Sequence, residues 1–511
     1  MSDWTAGYVA DIGYTYGYYT ELNPVRIQLA FLNAGLAPPR VGAACELGFG
    51  QGLSTNIHAA ASVTTWHGTD FNPSQAGFAQ ELATDCGNGA QLFDQAFDEF
   101  CAREDLPEFD FIALHGIWSW ISDENRAVIV DFLRRKLKVG GVLYISYNTL
   151  PGWAGFAPMR HLMTEHAARF GTNGQGIVSQ INGAIEFGAH MFDLDARYTK
   201  AVVGAKERFD KLKEQDRHYL AHEYFNQDWL PMYFADMARW LEPAKLEFAC
   251  SANYLDAVDL INLTQEQQDH LAGIPDPLFR QTVRDFLVNQ QFRKDYWVRG
   301  ARQLTALDRS EALRECRVIL TVAVEDVPLE VTGTLLKATL QDAIYQPILK
   351  VLGDQKPHSL GQIEAAVASE GVNFAQLLQA ITLLIGAGSV APASDAEASS
   401  KRKKQVQRLN TKLMLKARSS NDLRYLTSPL TGGAITVPRF QQLFLLAKQN
   451  GQKIPEDWAK WVWQVLAAQG QSLVKGGKTL QTPEENLAEL TTQAEEFETK
   501  ALPVLKALQI A

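Results

Sequence analysis

Apolar and polar positions follow two regimes along this chain. Through about residue 155, short apolar runs alternate with helical periodicity; beyond it, helical periodicity dominates. The runs Val41–Cys45, Thr64–Gly68, Ala90–Phe93, Phe109–His115 and Val142–Tyr147 predict five strands. Leu53, Ile57, Ala60 and Ala61 predict a helix after the first strand, and a second helix spans Asn125–Leu137. Leu137-Lys138-Val139-Gly140-Gly141 then predicts a helix end and turn before the fifth strand. Strands this uniformly apolar belong to a parallel, doubly wound α/β sheet covered on both faces.

The pattern changes after Trp153. Residues 156–215 predict a helical insertion, broken by the polar stretch 171–176. An amphipathic helix over Pro231–Leu241 precedes Lys245–Ala252, which fits a sixth strand; Phe292–Arg299 fits a seventh. A region 216–302 therefore completes the sheet begun by residues 1–155. Residues 325–398 predict a winged-helix-like unit. Its first helix carries Leu340, Ile344, Ile348, Leu349 and Leu352, and either starts near Pro347 or kinks there. The next helix carries Leu377, Ile381 and Leu384, and a small hairpin follows Gly386. Residues 391–404, with the run Lys401-Arg402-Lys403-Lys404, read as a solvated linker. Residues 405–511 read as a helical C-terminal domain, with a turn at Pro429–Gly433 and core tryptophans Trp461 and Trp463.

Composition narrows the function. A chain of 511 residues with 46% hydrophobic content has room for several cores, and no run approaches the roughly 20 apolar residues of a membrane helix. The N-terminus lacks signal-peptide regions, and five dispersed cysteines without a Cys-x-x-Cys argue for free thiols in a reducing cytoplasm and against a metal site. A net charge of −10 disfavours polyanions, and the would-be recognition helix Asn373–Leu384 has no Lys or Arg, so nucleic acid is not an expected partner. A basic protein or peptide suits the acidity better.

The chemistry concentrates at Glu46-Leu47-Gly48-Phe49-Gly50-Gln51-Gly52, followed by Asp70. Gly48, Gly50 and Gly52 permit a tight turn and close backbone approach to a ligand at the first strand–helix junction. A carboxylate at Asp70, closing the second strand, can accept both hydroxyls of a ribose. Two details depart from a dinucleotide site. The spacing is Gly-x-Gly-x-Gly, and Glu46 stands where a pyrophosphate would be repelled and an amino-bearing cation favoured. S-adenosylmethionine is such a cation.

These motifs resemble those of class I S-adenosylmethionine-dependent methyltransferases. Tyr14–Tyr19, Glu21–Pro24, His115–Trp120 and Tyr147–Trp153 extend the resemblance to bacterial members with a methyltransferase regulatory region and a winged-helix-like C-terminal part. That group includes protein lysine methyltransferases of intracellular bacteria that modify outer-membrane proteins. The resemblance implies a seven-stranded sheet, with the cofactor held by Glu46, the three glycines, Asp70, Phe71 and Asn72. It also implies that Ala96 and Phe97 meet the adenine and that His115 borders the cofactor. Tyr16, His115, Trp118 and Asn148 would border the methyl, with Tyr14 as an alternative to Tyr16 and Trp153 as a channel wall. If His115 acts as a base, a hydroxyl acceptor fits instead. A protein lysine is the expected acceptor; a small molecule or cell-envelope component is the alternative, and a non-catalytic cofactor-binding protein is the reading from another class. Oligomeric state is open, a homodimer included.

Overall fold

In the computed structural model, residues 15–171 and 176–511 are described. Tyr14 and residues 172–175 of the polar break lie outside them. Seven strands form one sheet: β1 (Ala43–Leu47), β2 (Thr65–Thr69), β3 (Gln91–Phe93), β4 (Phe109–Leu114), β5 (Leu137–Asn148), β6 (Leu246–Ser251) and β7 (Phe292–Arg299). Their order is β3-β2-β1-β4-β5-β7-β6. β1 to β5 pair in parallel, whereas β7 runs antiparallel to both β5 and β6. Strand order reverses between β1 and β4, which opens a crevice at the carboxyl ends of the strands. Helices α1 (Pro24–Asn33), α2 (Leu53–Ala61), α3 (Pro73–Cys86), α4 (Phe97–Cys101) and α5 (Asp123–Lys136) accompany this sheet. Burial on both faces explains the unbroken apolar runs: Phe111, Ile112, Ala113 and Leu114 are all fully buried.

Several boundaries differ from the sequence pattern. β5 begins at Leu137, directly after α5, so Leu137–Gly141 is strand and not a turn. A register shift there, with Gly140 at φ 79°, absorbs the polar residues that had suggested a turn. The amphipathic helix starts at Phe234, because the Met232 backbone N–H donates to the Asn148 carbonyl and extends the chain there. The helical insertion has its own core of Trp153, Met163, Ile181, Phe209 and Leu220. That core reaches outside 156–215 at both ends and takes in the helix Arg217–Tyr224.

Beyond β7, the strand β8 (Arg317–Leu320) precedes a hairpin of β9 (Glu330–Thr332) and β10 (Lys337–Thr339). β8 is then the middle strand of a small antiparallel sheet with β11 (His358–Ser359) and β12 (Val390–Ala393). The expected hairpin after Gly386 is thus replaced by long-range pairing with a strand that precedes residue 325. Four residues of β8 are too few to show a period. The helix Asp342–Leu352 runs through Pro347 instead of starting at it.

The supposed linker is also structured. Val390–Ala393 is strand, and the helix Lys403–Lys416 takes up the end of the basic run. This helix lies against α2 and α3, burying Val406, Leu409 and Leu413 with Leu53 and Ile57, and Lys412 bridges to Glu81 (2.9 Å) and Asp85 (2.5 Å). The C-terminal unit is not wholly helical: β13 (Tyr425–Ser428) and β14 (Gly433–Thr436) form a hairpin around the turn at Pro429–Gly432. Trp458 fills its core, while Trp461 and Trp463 only flank it, half-buried.

Candidate active site

A cavity of about 410 Å³ opens in the crevice beyond β1 to β4. The turn after β1 forms its floor. Gly48 and Gly50 line it at φ 73° and 58°, backbone that only glycine adopts without strain. A Cβ on Gly48 would stand 2.4 Å from Ile117 Cδ1 on the opposite wall. The turn is tied to β2, since the Gly48 N–H donates to the Thr69 carbonyl (2.8 Å) and the Gly50 N–H to Asp70 Oδ2 (2.8 Å).

Asp70 lines the cavity at its junction with β2. Its Oδ1 accepts from the Asn72 N–H (3.0 Å), and each oxygen keeps a second lone pair for a ligand hydroxyl. Burial pushes its carboxyl up to about 6, although the Asn72 and Gly50 N–H bonds pull it back. Phe71, Ala96 and Phe97 line the next part of the wall, at the ends of β2 and β3. His115, at the end of β4, is the remaining expected residue that reaches the cavity. Tyr19 stacks on it with ring centroids 3.4 Å apart, and its Nδ1 meets the Tyr144 hydroxyl at 2.7 Å. Burial pushes the imidazole down to about 3, which makes it a poor proton acceptor near neutral pH.

Seven expected residues stand outside the cavity. Glu46 is buried behind the turn, where Thr55 donates to it, and burial pushes its carboxyl up to about 8. Burial thus favours its neutral form, and it does not line the cavity. Gly52 precedes α2, and its missing side chain admits α3: a Cβ would lie 2.4 Å from Ala79 Cβ. Asn72 caps α3 by accepting from the Ser74 and Gln75 N–H groups. Trp118 is fully buried beside Met232 and Trp240. Asn148 accepts from Trp153 Nε1 (3.0 Å) within the core. Tyr16 packs edge-on against Phe78. Trp153 belongs to the core of the helical insertion and does not line the cavity.

Other lining residues were not expected. Tyr19, Ile117, Trp120 and Val128 supply apolar walls, and Asp98, Glu124 and Asp228 add carboxylates. Tyr19 sits in the quoted aromatic stretch and could have been found there. Asp228 lies on an irregular segment after the helix Arg217–Tyr224 and carries no local signal. With Asp70, four carboxylates line the cavity, and no Lys or Arg does so among the described residues.

A sheet of this order with an antiparallel β7, and a glycine turn and acidic residue at its switch point, defines the class I methyltransferase fold. A family model described as "predicted methyltransferase regulatory domain" matches residues 216–299 and thus contains β6 and β7. An uncharacterized protein of Synechocystis sp. is 41% identical over 514 residues, covering 99% of this chain and 100% of the relative. A second relative, from Rickettsia prowazekii, is 26% identical over 44% of this chain and 41% of its own length. Among solved structures, PKMT2 from Rickettsia typhi in complex with AdoHcy superimposes with a TM-score of 0.68 at 19% identity, covering 95% of this chain and 98% of that one. The chain belongs to one family with the Synechocystis protein, carries a methyltransferase regulatory domain and has the class I methyltransferase fold.

Proposed function

We propose that this cavity holds S-adenosylmethionine and that the chain methylates a lysine side chain of a protein. The observation that carries this reading is the lining itself: four carboxylates, aromatic walls and no cationic side chain among the described residues. Such a cavity favours a sulfonium and an approaching amine, and disfavours phosphates. The name of the Rickettsia structure, PKMT2 with AdoHcy, supports the same direction.

The residues present fit the cofactor. Gly48 to Gly50 would hold its amino-acid end, Asp70 its ribose, and the backbone at Ala96 with the Phe97 ring its adenine. The cofactor supplies a methyl group already activated by cationic sulfur. The chain's part is to align the acceptor, exclude water and leave the amine unprotonated at the moment of attack. Tyr19, His115 and Trp120 give the apolar surroundings that lower an amine's proton affinity, while Glu124 and Asp228 draw in the ammonium form. With the cofactor bound, Tyr19, His115 and Trp120 would hold the lysine nitrogen in line with the methyl carbon, and forming the nitrogen–carbon bond would release the sulfur as a neutral thioether with the electron pair of the broken carbon–sulfur bond. The five thiols are all free, four of them buried, which supports a cytoplasmic setting. No helix among the described residues is long and apolar enough to cross a membrane.

Calorimetry with S-adenosylmethionine, S-adenosylhomocysteine and NAD tests the cofactor. The first two should bind and NAD should not. Asp70→Ala should weaken binding about tenfold or more, the loss of a charged acceptor's bonds at about 1.5–3 kcal/mol; unchanged affinity removes the ribose assignment. Labelled methyl transferred to bacterial lysate protein should be recovered as methyllysine after hydrolysis. Label confined to the small-molecule or lipid fraction would overturn the lysine reading.

A further inference from the structure

The C-terminal unit touches no ligand-facing surface of the cavity, yet it grips the segment that supplies one wall. Three contacts join them. The Ala434 N–H donates to the Tyr18 hydroxyl at 3.0 Å, and Asn23 Nδ2 donates to the Thr431 carbonyl at 2.8 Å, buried. The His58 ring lies between the two sides, with Nδ1 3.2 Å from the Gly432 carbonyl oxygen and Nε2 3.2 Å from that of Tyr19. The fit is close. A Cβ on Gly433 would stand 2.2 Å from the Tyr18 hydroxyl oxygen and 2.9 Å from Asn23 Nδ2. The Tyr18 ring itself is held between His58 and Tyr425, at 5.4 Å from each.

Tyr19 is the next residue along. Its N–H donates to Ser54 Oγ (2.8 Å), and its ring lies flat on His115, inclined by 20°. Its position thus depends on a backbone clamped from one side by α2 and from the other by the 431–434 turn. We propose that this turn, through Tyr18 and Asn23, positions Tyr19 against His115, so that the C-terminal unit sets the shape of the active cavity without entering it. Gly433, Tyr18 and Asn23 are positioning residues in this scheme. Gly433 is glycine because the tyrosine hydroxyl occupies the space of a side chain; its φ is not positive, so alanine meets no backbone strain there.

The test uses the full chain with histidine rings isotopically labelled. The Tyr19 ring shields the protons of His115, whose signals are assigned by their absence in His115→Gln. Tyr19→Ala fixes the unshielded limit. Gly433→Ala is expected to move the His115 signals towards that limit and to weaken S-adenosylhomocysteine binding in parallel. Should Gly433→Ala not fold, Tyr18→Phe, which removes the hydroxyl that accepts from the Ala434 N–H and also bonds to the Thr20 side chain, is expected to shift the same signals less but in the same direction. His115 signals that coincide with the wild type's in the folded variant overturn the proposal. The ring signals need no ligand, so this outcome is independent of whether the wild type binds the cofactor.

Discussion

The two sides of the cavity are built by different means. One side comes from the turns after β1, β2 and β3, where Gly48, Gly50, Asp70 and Ala96 each follow their strand within three residues and act largely through backbone geometry. The other side is made of side chains: Tyr19, His115 with Trp120, and Asp228 arrive from three separate segments and are fixed by packing. The first side is specified locally. The second depends on contacts as distant as Tyr18 to Ala434, 416 residues apart. A site can thus have one side written in a short motif while the other is distributed over the chain.

The sharpest way to break this contrast is Gly48→Ala. The substitution forces a Cβ onto φ 73° backbone and to within 2.4 Å of Ile117. Strain and overpacking together should cost about 2–4 kcal/mol of stability, and the filled cavity should no longer bind S-adenosylhomocysteine in calorimetry. Unchanged affinity would mean that the turn does not form the floor.

A smaller effect separates Glu46 from the site in front of it. Its carboxyl is raised from 4.5 to about 8, so the native state holds this proton more tightly than the unfolded chain does. The stabilisation is complete below about pH 4.5 and is lost as pH rises through about 8. Glu46→Gln mimics the neutral form. Its melting temperature should exceed the wild type's by a margin that grows between pH 5 and 8 and then levels off, with cofactor affinity unchanged. Weakened affinity would instead show that Glu46 acts on the ligand through the turn.

The smallest effect is expected at Lys412→Ala. Its bridges to Glu81 and Asp85 are part-exposed, so their loss should cost about 0.2–1 kcal/mol and fade in high salt. A larger cost would assign the docking of the helix Lys403–Lys416 to charge, and not to the apolar contacts of Val406, Leu409 and Leu413.

How much was legible follows the same division. The β7 pattern, Phe292–Arg299, matches the strand residue for residue, because a central strand buried on both faces leaves little else for such a run to become. The glycine turn and Asp70 were readable because positive-φ backbone has few sequence solutions. Gly52 was misassigned for the same reason: a glycine needed for helix packing and one needed for a ligand look identical in sequence. Trp118 closely follows β4 and Asn148 ends β5, so both were expected in the crevice, yet their side chains are buried in the core. Tyr19 shows the converse, since nothing beside it announces the Thr431–Ala434 turn. The segment 391–404 looked like a linker because small and charged residues dominate it, while the partners that order it, β8 and α3, lie far away in sequence.

The order of synthesis gives that last contact a consequence in time. Thr15 to Tyr19 are among the first cavity residues made, and Thr431 to Ala434 are made more than 400 residues later. Ser428, beside that turn, in turn donates to the Leu508 carbonyl at 2.7 Å. At about 5–20 residues per second, a nascent chain carries its glycine turn and Asp70 for roughly 20–80 s before the opposite wall can be fixed. Until then an emerging chain has one side of the cavity without the other.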